Sequence, residues 1–496
     1  MKMVSVSEVM ARSGVAFGTS GARGLVESMT DEVSFTYTCA FLQHLTNVDQ
    51  FAPGTAVAIA GDLRPSTPRI LAACAAAIRH KGGKVVFCGF VPSPAVAAYG
   101  FECAIPSLMV TGSHIPDDRN GIKFNRIDGE ILKPDELAIR AEDVVLPNLF
   151  DNRGMLEAVP ELGPVLDVES GYLARYLDFF GPAALKGLRL GIYEHSAVGR
   201  DVLAQIVEEL GAEVVRLGRS EKFVPVDTEA VREEDRHLAR EWALQFDLDA
   251  ILSTDGDSDR PLLADETGSW MRGDVLGILC AQALEIEAVA TPVSCNTALE
   301  LSGAFRDIRR TRIGSPFVIE AMRILAEGSA SACGYEANGG FLLGTPITAD
   351  GRHLAALPTR DAVLPMVAVL AQARRKGATL SSLQAALPAR YTFSERLKDF
   401  PTAESQFMLE RLLQGTPADV LERLSAMFGS LAGTASAFDT TDGLRITFEN
   451  GDIIHLRPSG NAPELRCYTE SADAGHAEEL NEQSLRLVAH RAAAEA

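Results

Sequence analysis

The feature that most restricts the fold is an alternation of apolar strand and helix segments, in which each strand breaks into a short polar loop. Thr55 to Ala60 is a strand run that ends at Gly61-Asp62-Leu63-Arg64. Ser66-Thr67-Pro68 then starts a helix, with proline in its first turn, that runs to about His80 and stops at Gly82-Gly83. Lys84 to Phe90 is the next strand, a helix begins near Ser93, and apolar Leu108-Met109-Val110 closes a strand that leads into Ser113. Strand, helix, strand, helix, strand predicts a parallel, doubly wound sheet, because parallel neighbours need a crossover and the helices supply it. Ligands of such sheets collect at the carboxyl ends of the strands, where the Asp62 and Ser113 loops both fall.

The pattern recurs after a polar, proline-bearing stretch around residues 133–165. Leu188 to Tyr193 reads as a strand, Val198 to Leu210 as a helix stopped by Gly211, Val214 to Leu217 as a strand, 234–246 as a helix and Ala250 to Leu252 as a strand. A third unit opens near Gly273-Asp274 with helical period to Leu284. A strand near Ala290 to Val293, a short helix from Asn296 to Leu301 and a helix from Pro316 to Leu325 follow. A helix from about Thr359 to Arg375 ends that unit. The last unit is built on a hairpin, Leu444 to Phe448 and Ile453 to Leu456 about an Asn450-Gly451 turn, with a charged helix over 475–494. The expected fold is α/β: three tandem doubly wound domains at 1–155, 156–268 and 269–380, then a smaller last domain at 381–496.

Composition narrows the partners. The chain has 496 residues and a formal net charge of -21, which argues against a nucleic-acid or anionic membrane surface as the main partner. An anionic substrate must then be drawn in by local arginines and lysines. No apolar run approaches the ~18 residues that a membrane span needs. Met1 to Val15 carries no long apolar core, so a cytoplasmic location is expected. The eight cysteines are scattered with no CxxC pair and read as reduced, mostly buried thiols.

Four loops carry the chemistry. Val110-Thr111-Gly112-Ser113-His114-Ile115-Pro116, continuing to Asn120-Gly121-Ile122-Lys123, holds a serine out at a loop tip, with a proton carrier and a cation nearby. Asp255-Gly256-Asp257-Ser258-Asp259-Arg260 follows a strand and sets three carboxylates at alternate positions, able to converge on one hard cation. Asp255, Asp257, Asp259 and Glu266 mimic the spacing of an EF-hand. Arg260 stands where that loop needs glycine, however, and strands flank it in place of helices. Ala332 to Gly340 is glycine-rich and offers Glu336 and Asn338 to hydroxyls. Arg457-Pro458-Ser459-Gly460-Asn461-Ala462-Pro463-Glu464-Leu465-Arg466 suits a phosphate dianion. A fifth loop, Phe17 to Gly24, adds Arg23 among glycines. Taken singly, each loop also reads as an ordinary turn. Together they supply a nucleophile, a cation site and a phosphate grip without a Walker loop, Rossmann fingerprint or kinase set. That combination reads as phosphoryl transfer through a covalent phosphoserine.

In order and spacing these loops resemble those of the α-D-phosphohexomutases, the phosphomannomutases and phosphoglucomutases, over nearly the whole chain. The resemblance implies that the last domain, 381–496, is α+β and that the four domains surround a central cleft. The resemblance implies interconversion of hexose 6-phosphate and hexose 1-phosphate through a bound hexose 1,6-bisphosphate, with that bisphosphate as activator and a monomer or homodimer as the working form. It implies Mg²⁺ held by Asp255, Asp257, Asp259 and the phosphate on Ser113. It also implies proton transfer and charge stabilisation by His114 and Lys123, with Arg23 and Arg260 beside the transferring group. Glu336 and Asn338 fall on the sugar-recognition loop, and Gly314 among the substrate-binding residues. Arg457, Ser459, Gly460, Asn461 and Arg466 fall on the non-reacting phosphate.

The chain departs from the family pattern at Ser258, where glycine is usual, and at Asn338, where serine is usual. It departs again at Asn461 and Ala462 in the phosphate loop, and at Ser315, where some members carry histidine. The Glu-x-Asn loop leaves the sugar open, with mannose phosphate first, glucose phosphate next and glucosamine phosphate third. Two other classes are a sugar-phosphate-binding relative without turnover and a metal-dependent phosphatase.

Overall fold

The computed structural model describes residues 2–18, 21–459 and 463–495, with side chains described as far as Arg491 in the last helix. The chain divides into two compact units, Met1–Ala290 with Gly314–Gln384, and Thr291–Ile313 with Ala385–Ala496.

The first unit contains three sheets that bear on the site. In the first, Ala56–Gly61 lies parallel to both Lys84–Phe90 and Ser107–Val110, as expected. The sheet then turns antiparallel. Arg119–Arg126 returns beside Ser107–Val110, and Gly21–Leu25 pairs with it. The reason is local: the loop over 111–118 is too short for a crossover, so the chain can only double back. Helices Asp31–Asn47 and Thr67–His80 bury the apolar sheet face. Phe124 packs against Phe41 in that core, with 4.9 Å between ring centroids. Because side chains alternate along a strand, anchoring Phe124 inward turns Lys123 to the other face.

The second sheet has Glu213–Leu217, Arg189–Tyr193 and Ala250–Thr254 in parallel, with Pro261–Ala264 antiparallel at the end. The Asp255–Arg260 loop joins the last two strands. In the third, Ala288–Pro292 runs parallel to Ala332–Tyr335, and Phe341–Leu343 and Leu357–Asp361 add antiparallel strands. The helix expected from about Thr359 starts instead at Val363, and Leu357–Asp361 is a strand. Pro358 favours an extended Leu357. Asp361 accepts hydrogen bonds from the N–H groups of Val363 (3.0 Å) and Leu364 (3.3 Å), which fixes the helix start after it.

The second unit is a five-stranded antiparallel sheet in the order Tyr391–Leu397, Leu465–Ser471, Ile453–Pro458, Leu444–Phe448, Ala435–Asp439. The hairpin stands where its turn predicts, with Gly451 at φ 86°. Helices Thr402–Leu412, Pro417–Ala432 and Ala474–Glu495 belong to the same unit. The eight cysteines are unpaired thiols, all buried except Cys103. Among the described residues, no helix is long and apolar enough to cross a membrane.

Candidate active site

Ser113 takes a left-handed conformation, φ 57°, which an L-residue adopts only under constraint. The constraint is visible. Its N–H donates to Thr111 Oγ1 at 2.7 Å, and Thr111 Oγ1 donates to Asp62 Oδ2 at 2.7 Å. Arg64, fully buried, ion-pairs with Asp62 and donates to the carbonyls of Ser113 (2.8 Å) and Ile115. Phe223 lies 4.0 Å beneath its guanidinium. Glycine is required at 112, where a Cβ would stand 2.8 Å from Arg64 Cζ. The Asp62 loop is therefore the clamp on the serine loop. Contrary to the expectation of an exposed tip, Ser113 is wholly buried, and its Oγ donates to Asp255 Oδ2 at 2.5 Å. The Asp255–Arg260 loop covers it. At Gly256 a Cβ would meet the Ser113 carbonyl at 2.7 Å, so only glycine permits that approach.

The three aspartates are buried, and one oxygen from each lies within 4.8 Å of the others. Lys123 Nζ donates to Asp257 (2.6 Å) and to Asp259, and Ser93 Oγ donates to Asp257 at 2.6 Å. The Oδ1 atoms of Asp257 and Asp259 are buried with no hydrogen-bond partner. Orphaned oxygens within a cluster of three buried carboxylates fit a hard divalent cation. Ser258 takes the positive φ, 59°, that glycine usually supplies. Its hydroxyl accepts from the Gly199 N–H at 2.9 Å and bonds Thr254 Oγ1 at 2.8 Å, which fastens the loop. Burial, then Asp257 and Asp259, push the Asp255 carboxyl well above its usual range. Burial also raises Asp257, but Lys123 and Ser93 outweigh it and hold that carboxyl low. Lys123 stays charged: its two aspartate partners outweigh the burial that opposes its charge.

A polar cavity of about 110 Å³ opens beside this cluster, lined by Arg23, Lys123, Arg260, His114 and Arg360. Strand pairing builds part of that wall. Arg23 stands opposite Gly121 and Gly21 opposite Lys123, so the two cations share a face. Burial and the neighbouring Arg260 lower the Arg23 pKa to about 10. Arg260 Nη1 donates to His114 Nδ1 at 2.9 Å. Burial and Arg260 hold the His114 pKa down to about 3, so the ring is neutral with Nδ1 already engaged.

Arg360 had no signal of its own, since its stretch reads as a helix start. It donates through Nε to Glu336 Oε2 at 2.6 Å and comes within 3.8 Å of Asp259. Asn338 Oδ1 closes its own loop on the Gly340 N–H at 3.0 Å. Gly314, φ 128°, precedes the helix Ser315–Gly328. Ser315 is buried and donates to Glu130, which also accepts from Thr359.

In the second unit, Arg457 and Arg466 are direct cross-strand partners, and Arg396 pairs with Arg466 on the next strand. Three arginines thus form a row on one face at the strand ends. Like charges so placed repel unless anions lie among them. Asp442 takes the Arg457 Nε at 2.8 Å, and Glu464 lies 3.6 Å from Arg396. The Ser459 N–H donates to the Glu464 carbonyl at 2.9 Å. Gly460 and Asn461 lie outside the described residues.

Four segments match the phosphoglucomutase/phosphomannomutase domains: alpha/beta/alpha domain I at residues 14–142, domain II at 172–268, domain III at 272–391 and the C-terminal domain at 409–487. The chain belongs to the phosphoglucomutase/phosphomannomutase family and is a mutase. It is 47% identical over 464 residues to a phosphomannomutase of Salmonella muenchen, covering 94% of this chain and 93% of that one. It is 44% identical over 480 residues to a phosphomannomutase of Sinorhizobium fredii, covering 96% and 99%. Its fold is similar to the crystal structure of a phosphoglucomutase/phosphomannomutase family protein from Burkholderia thailandensis. The TM-score there is 0.73 at 18% identity, covering 99% of this chain and 98% of that one.

Proposed function

We propose that this mutase interconverts hexose 6-phosphate and hexose 1-phosphate, with mannose phosphate preferred, through phosphorylated Ser113 and a bound hexose 1,6-bisphosphate. The observation that carries this reading is the Ser113 Oγ seated 2.5 Å from Asp255, inside a carboxylate cluster with unsatisfied oxygens. In the forward half, the phosphorus–oxygen bond to Ser113 breaks and one forms to the free sugar hydroxyl. After the bisphosphate turns around, its other phosphoryl group returns to Ser113. Such transfers pass through a loose transition state that asks for positioning and charge more than for a strong base. The residues suit that demand. Arg64 and Thr111 fix the serine backbone, and Lys123, Arg23 and Arg260 line the pocket with positive charge. His114, kept neutral, offers Nε2 as a hydrogen-bonding group. Asp255, Asp257, Asp259 and the Ser113 oxygen would hold Mg²⁺, which offsets negative charge on the moving phosphoryl group when bound.

Glu336 and Asn338 are proposed to read the sugar, and Gly314 to belong to the substrate-binding residues. Arg457, Ser459 and Arg466, with Gly460 and Asn461, are proposed to grip the phosphate that is not moving. The domain division at about residues 155, 268 and 380 belongs to the same proposal. The test is a coupled assay with mannose, glucose and glucosamine 1-phosphates, Mg²⁺ and a hexose 1,6-bisphosphate primer. Mannose and glucose phosphates are both expected to turn over, mannose faster. No isomerised product from either, or free phosphate as the main product, sinks the assignment.

A further inference from the structure

Arg360 joins parts of the site that come from different sheets. Its guanidinium is 3% exposed, donates to Glu336 Oε2, approaches Asp259, and still borders the polar cavity. Glu336 is as deeply buried, and its Oε1 accepts no hydrogen bond among the described residues. A carboxylate with one oxygen bound and the other without a protein partner is oriented but incomplete. The loop is shaped around the arginine. A Cβ on Gly340 would lie 2.6 Å from Arg360 Cδ, so glycine lets the arginine stem pass against the loop backbone. The same loop is closed by the Glu336 N–H on the Gly340 carbonyl and by Asn338 on the Gly340 N–H. Arg360 thus fixes the direction of a carboxylate whose remaining oxygen is free for a hydroxyl.

We propose that Arg360 is the positioning residue for sugar recognition: it holds Glu336 so that the free oxygen reads a ring hydroxyl. This rests on the assignment of Glu336 to the sugar. A site built to bond a hydroxyl rejects the analogue that lacks it, because its own buried group is then stranded. Arg360 must therefore act on one hydroxyl and not on the sugar phosphate as a whole.

The test reads binding by titration calorimetry on Ser113→Ala protein, with mannose 1-phosphate and its monodeoxy analogues. Glu336→Gln and Arg360→Gln are each expected to weaken the parent sugar about 10- to 100-fold, the range of one charge-assisted hydrogen bond. Both should leave the affinity unchanged for the same one or two deoxy analogues. The double variant should be no weaker than the worse single one. Arg360→Lys, which keeps the charge and loses the planar fork, should regain only part of the affinity. Gly340→Ala keeps both charges and displaces the arginine stem, so it should give the same analogue-dependent loss if Arg360→Gln fails to fold. Equal weakening of every analogue, losses that multiply in the double variant, or no binding of any of these sugars overturns the inference. Binding is read without turnover. Absent mutase activity with coupling intact therefore removes the proposed reaction and leaves Arg360 in its role, and active enzyme with independent losses does the reverse.

Discussion

Two buried acidic sites in the same unit have opposite characters. Asp361, 1% exposed, accepts from the hydroxyls of Tyr172 (3.0 Å) and Tyr176 (2.7 and 2.8 Å) and from the N–H groups that begin the following helix. Its bonds are made within the protein, and they tie the helix Glu169–Phe180 to the third sheet. The Asp255, Asp257 and Asp259 cluster crowds three carboxylates together and leaves two oxygens without any donor. A buried acid whose bonds are complete serves the scaffold. A buried group of acids whose bonds are incomplete is suited to a ligand, because unpaired charge at low dielectric persists only when something else requires it. Arg360 and Asp361 show the same split one residue apart. Alternation along their strand puts the arginine at the cavity and the aspartate at the tyrosines.

Removing a reacting group or a structural acid should separate these roles. Ser113→Ala should lower turnover by about a thousandfold or more while leaving the unfolding transition near that of the parent. Mass spectrometry should find phosphate on the Ser113 peptide of the parent alone. Retained turnover would place the nucleophile elsewhere. Asp361→Ala should do the reverse. It strands two buried hydroxyls and vacates volume, so stability should fall by about 3 to 5 kcal/mol in denaturant melts. The rate per folded molecule should stay close to that of the parent. A large loss of rate without loss of stability would contradict the scaffold role.

Metal addition sharpens the contrast further. Saturating Mg²⁺ at about 100 times its dissociation constant should raise the unfolding free energy by about 2.7 kcal/mol. The rise should survive in Asp361→Asn and vanish in Asp259→Asn. An equal rise in both would show that the ion binds away from the triplet.

What the sequence discloses follows chain locality. The Asp triplet lies on one loop, and Ser113, His114 and Lys123 lie on one strand–loop–strand, so residue type and spacing suffice to find them. The burial of Ser113 is not legible, because it depends on Gly256, far along the chain, letting one loop sit on another. Arg64 is visible as a residue, but its work on the Ser113 carbonyl depends on a neighbouring strand end. Arg360 is hidden by a misleading period: Thr359 to Arg375 reads as a single helix in the sequence, whereas Pro358 and Asp361 make the first part a strand. The antiparallel edges are hidden for the same kind of reason, since a short return loop and a crossover look alike until strand partners are known. Arg396 joins Arg457 and Arg466 only through sheet register.

The smallest effect is the most discriminating. Among the triplet, Asp255 carries the electrostatic strain: burial and its two aspartate neighbours push its carboxyl well above the usual range, while Lys123 and Ser93 hold the Asp257 carboxyl low. Asp255→Asn keeps the shape of the side chain. The amide oxygen still accepts from the Asp259 and Arg260 N–H groups, both at 3.3 Å, and the amide nitrogen can donate to Ser113 Oγ once that hydroxyl rotates. The substitution therefore removes a repelling charge without stranding a partner. Metal-free Asp255→Asn should be more stable than the parent by about 1 kcal/mol, and it should gain nothing from Mg²⁺. The matching change at Asp361 should never stabilise, because there the charge is hydrogen-bonded on all sides. A metal-free Asp255→Asn protein less stable than the parent would mean that the triplet is satisfied without a cation, and the contrast between the two acidic sites would fail.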